Sequence, residues 1–340
     1  VCPPPPGRNL VKIVIIGAGS TVFTPGLIAD LTSSRHFADA TVALVDINPD
    51  AAATMARYTE RVARERGVGL RVEYASDRRE VLAGADFVTV TIAVGGARAW
   101  EQDVRIPEAH GVWQTVGDSV GPGGVFRALR HVPELVAIAR DMEELCPDAW
   151  LFNYTNPLTA LVRAVHKTSS IKAAGLCHGV LHTREVIAHA LGVPHHELSV
   201  TVAGLNHLAW VLDMRHGGQD LYPAFRELQR GWLASPPPAV DGDLYAGFQE
   251  VSARLMEISG YYPSPGDRHV AEFFPFFLRQ VNGRLAYGTQ PGLDSTNRIL
   301  ASRDDRWDRI AAQAEGRADL DRALFDEARE GERVVAIMEA

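Results

Sequence analysis

The sequence predicts an α/β fold, a doubly wound parallel sheet joined to a second, mixed α+β domain. Three observations predict it: short apolar runs alternate with helical stretches through the first half, a glycine-rich turn follows the first run, and the pattern changes after about residue 200. Val11 to Ile16 is almost continuously apolar and stops at Gly17, as a strand buried on both faces does. Thr41 to Asp46, Arg71 to Ala75, Phe87 to Ile92, Ala149 to Asn153 and Ile171 to Leu176 repeat the pattern. Helices are expected over Pro25 to Leu31, Ala51 to Arg66 and Phe126 to Leu145. The last is expected to pack on the sheet through Phe126, Leu129, Leu135, Val136 and Met142. Strands alternating with helices imply βαβ units with right-handed crossovers. Beyond residue 200, Thr201 to Ala203 and Leu208 to Met214 read as strands, the second closed by Gly217-Gly218. Pro236-Pro237-Pro238 separates two helical segments, and Tyr262-Pro263-Ser264-Pro265-Gly266 reads as a loop.

Composition narrows the function. The chain has 340 residues, 46% of them hydrophobic, which is enough for the cores of two domains. A formal charge of −8 argues against a phosphate-backbone partner and an anionic membrane face, so neither nucleic acid nor membrane is an expected partner. No apolar run approaches the roughly 20 residues of a membrane helix. Cys2, Cys146 and Cys177 are too few and too scattered for a disulfide framework and suit a reducing compartment. With no signal-peptide pattern, a cytoplasmic protein is expected. Pro3 to Pro6 reads as a stiff, solvated lead-in. His195, His196 and His216 read as surface or loop residues, and Glu315 to Arg333 as a solvated helical face.

Gly17-Ala18-Gly19-Ser20 stands between the first strand and a helix, the setting of a dinucleotide-binding turn. The first glycine permits the tight turn, and the second lets the backbone approach a pyrophosphate. Val22 occupies the place of the usual third glycine. Asp46 ends the second strand, placed to accept both ribose hydroxyls, and no arginine follows to welcome a 2′-phosphate. Gly17, Gly19, Ser20 and Asp46 therefore predict bound NAD on a Rossmann-like domain. Its expected extent is 11–200, after a proline-rich tail over 1–10 and before a substrate and metal domain over 201–340. Cys177-His178 lies just past the sixth strand, at the carboxyl end of the sheet where ligands bind in open α/β folds. Asn206-His207 is a polar pair between apolar runs, and Asn153 and Asn156 end the fifth strand as candidate substrate contacts. A thiolate and an imidazole from separate segments are able to hold one divalent metal with positions left open for substrate oxygens.

Together with Val45-Asp46-Ile47, Gly117-Asp118-Ser119-Val120-Gly121-Pro122-Gly123-Gly124 and Asn153-Tyr154-Thr155-Asn156-Pro157, these motifs occur in a familiar order. With Cys177-His178-Gly179 and Gly204-Leu205-Asn206-His207 they resemble glycoside hydrolase family four from about residue 11 to the end. The resemblance implies a carboxyl-terminal part like that of lactate and malate dehydrogenases. It also implies a glycosidase that depends on NAD and a divalent metal rather than on two carboxylates. In such enzymes hydride passes from sugar C3 to NAD, a base takes the C2 proton, the C1 substituent leaves by elimination, water adds, and the hydride returns. The resemblance implies Cys177 and His207 as metal ligands and Mn2+ as the ion, although a thiolate alone favours zinc. For the acid it implies His178, the residue after the metal cysteine, with Asp118 as rival. For the C2 base, Tyr261 matches best and Tyr262 next, with the Asp267 carboxylate competing.

Phosphosugar members of the family carry an arginine where this chain has Trp100. An indole cannot neutralise phosphate but suits stacking on a bare sugar ring, and Arg98 and Arg268 are candidates to recognise a carboxylate. The expected substrate is a non-phosphorylated α-galactoside or α-uronide, in carbohydrate metabolism, handled by a homo-oligomer (dimer or tetramer). Competing expectations are an NAD-dependent 2-hydroxyacid dehydrogenase, which needs no thiolate metal site, and a non-catalytic NAD-binding protein. Against the family, the chain is expected to be short at its carboxyl end, stopping within a helical, apolar pattern at Glu332 to Ala340.

Overall fold

The computed structural model describes residues 10–237, 248–321 and 337–338. The proline run at 3–6, Pro238 and most of the carboxyl-terminal segment beyond residue 321 lie outside the described residues. The chain divides into two compact units, one of Val1–Val94, Leu129–Leu176 and Ile299–Ala340, the other of Gly95–Ala128 and Cys177–Arg298.

All six predicted runs of the first half are strands: β1 (Lys12–Ile16), β2 (Thr41–Val45), β3 (Arg71–Ala75), β4 (Phe87–Val90), β5 (Trp150–Asn153) and β6 (Lys172–Gly175). They form one parallel sheet in the order β3-β2-β1-β4-β5-β6. The order reverses between β1 and β4, the switch point at which such sheets bind ligands. Alternate residues of each strand serve opposite cores. Val14, Ile16, Val45 and Val88 pack with Leu135 and Met142 on one face, while Ile13, Ile15, Val42 and Leu44 pack with Met55, Tyr58 and Phe152 on the other. Burial on both faces is why β1, β2 and β4 read as continuous apolar runs, whereas the edge strand β3, with Arg71, Glu73 and Tyr74 exposed, does not share it.

The helices α1 (Thr24–Ser33) and α2 (Pro49–Arg66) begin slightly earlier than predicted. For α2 the reason is the Asn48 side chain, which accepts from the Asp50 and Ala51 amides ahead of Pro49 at the first turn. The helix α3 (Gly96–Ala109) follows β4, and α4 (Gly121–Leu145) starts five residues before the predicted Phe126. The expected packing stripe on α4 is only half right: Leu135 and Met142 are buried, but Phe126 is 56% and Leu129 65% exposed. At about 100° per residue, Phe126 points roughly opposite to Leu135, so the two cannot share a face. The helices α5 (Leu158–Thr168) and α6 (Gly179–Leu191) follow β5 and β6.

In the second unit β7 (Leu198–Leu205), β8 (Leu208–His216) and β10 (Tyr262–Ser264) form an antiparallel sheet in the order β10-β8-β7, with β9 (Gln219–Asp220) paired to β8 after the Gly217-Gly218 turn. The segment expected to be a loop at Tyr262-Pro263-Ser264 is thus a strand. Pro263 is tolerated because β10 lies at the sheet edge, where a missing amide costs no inner ladder bond. The helices α7 (Tyr222–Ala234) and α8 (Glu250–Ser259) are the two helical segments expected around the proline triplet. The short α9 (Asp267–Val270) also lies in this unit, and the long α10 (Gly292–Ala314) begins in it and continues into the segment of the first unit that starts at Ile299. The expected charged helix over 315–333 does not begin at its amino end, because α10 ends at Ala314 and residues 315–321 turn away; the remainder lies outside the described residues.

Candidate functional site

The glycine turn of the first unit is built on backbone constraint. Gly17 has φ +89, and its N–H and that of Ala18 donate to Val45 O at 2.8 and 2.9 Å. A Cβ on Gly17 would lie 2.9 Å from the Thr91 carbonyl carbon, so the turn requires glycine twice over. Gly19 N–H donates to Asp46 Oδ2 at 2.8 Å, and Asp46 Oδ1 accepts from Asn48 N at 2.9 Å. The Asp46 carboxylate is therefore fixed beside the turn at the carboxyl end of β2. Ser20 Oγ accepts from Phe23 N at 3.1 Å at the start of the following helix. Val22 is exposed, so the missing third glycine leaves no clash. A Cβ on Gly19 would sit 2.7 Å from Asp46 Oδ2. Gly19→Val is expected to weaken NAD binding at least about tenfold, roughly 1.4 kcal/mol, with little change in melting temperature; fluorescence titration alongside a thermal melt checks it. Asn153, also in this unit, closes on its own turn: Nδ2 donates to Thr155 O at 2.8 Å, and Oδ1 accepts from Thr155 N at 3.1 Å. Asn156 Oδ1 accepts from Leu158 N at 3.3 Å, ahead of α5.

In the second unit, the β7–β8 hairpin turns through Asn206 and His207, and His207 takes φ +65. A left-handed histidine is uncommon and carries strain that its surroundings must hold in place. What holds it is the loop before α4. Ser119 Oγ donates to Asp118 Oδ1 at 2.7 Å and lies 2.7 Å from His207 Nδ1. With its proton given to Asp118, the hydroxyl accepts from Nδ1–H, which leaves Nε2 as the nitrogen available to a metal. His207 Nδ1 and Asp118 Oδ1 are 3.6 Å apart, an ion-pair distance rather than a hydrogen bond. His269 stacks on His207 with ring centroids 3.8 Å apart, and Asp118, His207 and His269 offer ligand atoms within 4.8 Å of one another.

The charges of this cluster are set by mutual contact. Burial opposes the His207 charge, but Asp118 and the Cys177 sulfur outweigh it and push its pKa up to about 10. Burial would likewise raise Asp118, yet His207, His269 and Arg127 hold it far below the carboxylate range. Burial and the His207 charge push His269 down to about 3. Cys177 is exposed as a residue, although its sulfur is partly desolvated. Desolvation raises its thiol, but His207, the Gly179 amide and the Asn206 side chain together bring it below its ordinary value. The Gly179 amide donates to Sγ at 3.3 Å. Among the described residues the donor atoms within mutual reach are those of Asp118, His207 and His269, with the Cys177 sulfur beside His207 but outside that trio. A carboxylate, two imidazoles and a readily formed thiolate fit a divalent first-row cation.

The remaining candidates divide by environment. His178 is half-buried at the position capping α6, directly after Cys177. Trp100 donates from Nε1 to Val116 O at 2.6 Å, and Arg127 lies over its ring at 5.8 Å. Tyr261 is 43% exposed, edge-on to Tyr222, whereas Tyr262 is buried and its hydroxyl is driven upward by burial. Asp267, the first residue of α9, is buried against the start of α8, accepting from Val251 N and Ser252 N at 2.8 Å each and from Ser252 Oγ at 2.7 Å. Burial, against these donors, pushes its carboxyl up to about 6. Arg268 is half-buried and reaches Thr115 O only at 3.5 Å. Ser119, His269 and Glu272 were not singled out by the sequence. Their signal is tertiary, since Ser119 meets His207 across 88 residues and Glu272 meets Thr115 across 157.

The family profile for family 4 glycosyl hydrolase matches residues 12–193, and that for the carboxyl-terminal domain of the same family matches 202–340. An alpha-galactosidase of Bacillus subtilis (strain 168) is 34% identical over 300 residues, 88% of this chain and 67% of its own length. An alpha-galacturonidase of the same organism is 36% identical over 279 residues, 78% of this chain and 61% of its own. The chain thus spans roughly three fifths to two thirds of these relatives. A Bacillus subtilis protein assigned as a glucosidase superposes with TM-score 0.84 at 32% identity, covering 98% of this chain and 76% of its own. A 6-phospho-alpha-glucosidase from gut microorganisms, in complex with NAD and Mn2+, superposes with TM-score 0.77 at 19% identity over 98% of this chain and 74% of its own, a likeness of fold. Matched along both halves by one family's profiles and about a third identical to two of its relatives, the chain belongs to the family 4 glycosyl hydrolases.

Proposed function

We propose that the chain is an NAD- and divalent-metal-dependent glycosidase that hydrolyses a non-phosphorylated α-galactoside or α-uronide. The observation that carries this reading is the Asp118–Ser119–His207 chain beside the lowered Cys177 thiol, in a family member that also keeps the glycine turn and Asp46. The names of the alpha-galactosidase and alpha-galacturonidase relatives support the substrate class, as does Trp100 in place of a phosphate-binding arginine. NAD, when bound, supplies a reversible hydride acceptor for C3, and Mn2+ or another divalent ion supplies a Lewis acid for the sugar oxygens. In this reading Gly17 to Ser20 admit the pyrophosphate and Asp46 takes the ribose hydroxyls. Cys177 and His207 hold the ion, with Asp118 as orienting carboxylate. Tyr261 removes the C2 proton, made acidic by the C3 ketone, and His178 protonates the departing C1 oxygen. Trp100 stacks on the sugar, while Arg268 and Asn156 supply polar contacts and Asn153 holds its turn. Water adds, and the cycle is redox-neutral. The reading also carries a division near residue 200, supported by the gap between the two family profiles, and a homo-oligomeric assembly.

Aryl α-galactosides and α-galacturonides incubated with the protein, NAD, Mn2+ and reductant in D2O are expected to release sugar deuterated at C2 without net NADH. Cleavage with no deuterium at C2 would refute the elimination route. Steady NADH accumulation would point to a dehydrogenase instead.

A further inference from the structure

Glu272 lies in the turn after α9, nine-tenths buried, and one of its oxygens does unusual work. Its Oε1 accepts three consecutive backbone amides, those of Thr115, Val116 and Gly117, at 2.9, 2.8 and 2.7 Å. Gly117 has φ +68, so the three N–H groups converge on one point, a concave arrangement suited to an anion. The next two residues, Asp118 and Ser119, hold His207. Three residues before Glu272, and therefore one turn away, is His269, stacked on His207. Thr115 Oγ1 adds a hydrogen bond to the Arg268 carbonyl. One carboxylate thus joins the loop that carries Asp118 to the turn that carries His269. Among the described residues Oε2 accepts no hydrogen bond, so Oε1 makes all the contacts of this carboxylate.

We propose that Glu272 is a positioning residue for the metal centre: by clamping the Thr115–Gly117 amides it sets where Asp118 and Ser119 hold His207. The inference rests on the metal reading given above. It predicts a graded response to chain length and acceptor chemistry. Glu272→Gln keeps the acceptor oxygen at the same reach, whereas Glu272→Asp is one methylene short and Glu272→Leu removes the acceptor.

The test measures Mn2+ affinity of the NAD-bound protein by calorimetry, with kcat, KM and melting temperature for the same variants. Glu272→Asp is expected to weaken Mn2+ binding about 10–100-fold, the usual effect of losing an outer support of a metal ligand, and to lower kcat more than it raises KM. Glu272→Gln is expected to stay within a few-fold of the unmodified chain in both. If Glu272→Leu does not fold, the Asp and Gln pair still decides. Mn2+ affinity unchanged in Glu272→Asp while the melting temperature falls would make Glu272 merely structural and overturn the proposal. Damage from Glu272→Gln with Glu272→Asp left like the unmodified chain would overturn it as well, since charge rather than reach would then matter. His207→Ala is the control on the underlying reading. If the unmodified chain binds Mn2+ no better than His207→Ala, the metal reading itself falls; Mn2+ bound normally but flat across the Glu272 series sinks only this inference.

Discussion

Cys177→Ala and His207→Ala are each expected to lower kcat by about a thousandfold or more and to abolish specific Mn2+ binding, and only the second should also destabilise the fold. On the proposed metal reading, loss of catalysis follows from removing a residue that would hold a Lewis acid, whose contribution to the transition state is several kcal/mol, with each factor of ten worth about 1.36 kcal/mol. The two stabilities part because of burial. Cys177 is exposed, so removing its sulfur opens no cavity. His207 is buried and does more than any other group to favour the buried Asp118 charge. Truncating it leaves that charge short of a partner, a defect that costs about 3–5 kcal/mol at comparable sites. The pH dependence has a definite sign. In the metal-free protein His207 has a folded pKa of about 10, above its ordinary 6.5, so the folded state binds the extra proton between these values. Stability from this group is complete below about pH 6.5 and is lost as pH rises towards 10. Asp118 acts in the opposite direction at acid pH, its contribution fading as pH falls below the usual carboxylate range. Because a bound metal displaces protons from these groups, Mn2+ affinity is expected to rise with pH over the same alkaline window. Thermal melts and calorimetry from pH 6 to 10, on the unmodified chain and both variants, check each part. A His207→Ala chain that melts like the unmodified protein would show that the Asp118 charge does not depend on it.

How much of this was legible in the sequence depends on the range of the interaction. The inner strands were visible because two-sided burial imposes an apolar run, as in Lys12–Ile16 and Thr41–Val45, while the exposed edge strand Arg71–Ala75 was legible only from its place in the alternation. The glycine turn and Asp46 were visible because they follow such runs by one or two residues. Phe126 and Leu129 misled because apolar residues on a helix do not state which face is covered. The edge strand at Tyr262–Ser264 was hidden by prolines that only an edge position excuses. His207 and Cys177 stand in motifs that the sequence displays, but the hold of Asp118 and Ser119 on His207 is not displayed there. Ser119 stands in a glycine-rich segment whose hydroxyl is unremarkable until folded. Glu272 makes its contacts through backbone amides, which leave no trace in the identity of Thr115, Val116 or Gly117.

Tyr261→Phe and Asp267→Ala are expected to separate chemistry from architecture at the two candidates for the C2 base. Tyr261→Phe should lower kcat by about 10²–10⁴, the range of a lost general base, and end deuterium incorporation at C2. Its melting temperature should hold, since the side chain is nearly half exposed and the ring contact with Tyr222 survives. Asp267 has a different set of obligations. Both oxygens are bonded to the first turn of α8, at Val251 and Ser252, and its own amide donates to Gln249 Oε1 at 2.9 Å. A carboxyl spent in this way is poorly free to take a proton from a sugar. Alanine there strips the cap from a buried helix start, expected to cost about 0.5–2 kcal/mol, while kcat per folded molecule stays within a few-fold. Burial lifts this carboxyl to about 6 from 3.8, so the folded state favours the protonated acid. The stability Asp267 contributes is therefore fullest below about pH 4 and declines as pH rises through 6, and the melting gap between Asp267→Ala and the unmodified chain should narrow in the same direction. The reverse pattern, a dead but stable Asp267→Ala beside an active Tyr261→Phe, would transfer the base to the carboxylate. It would also require Asp267 to loosen its bonds to the start of α8 during turnover, because three of its roughly four acceptor sites are engaged there.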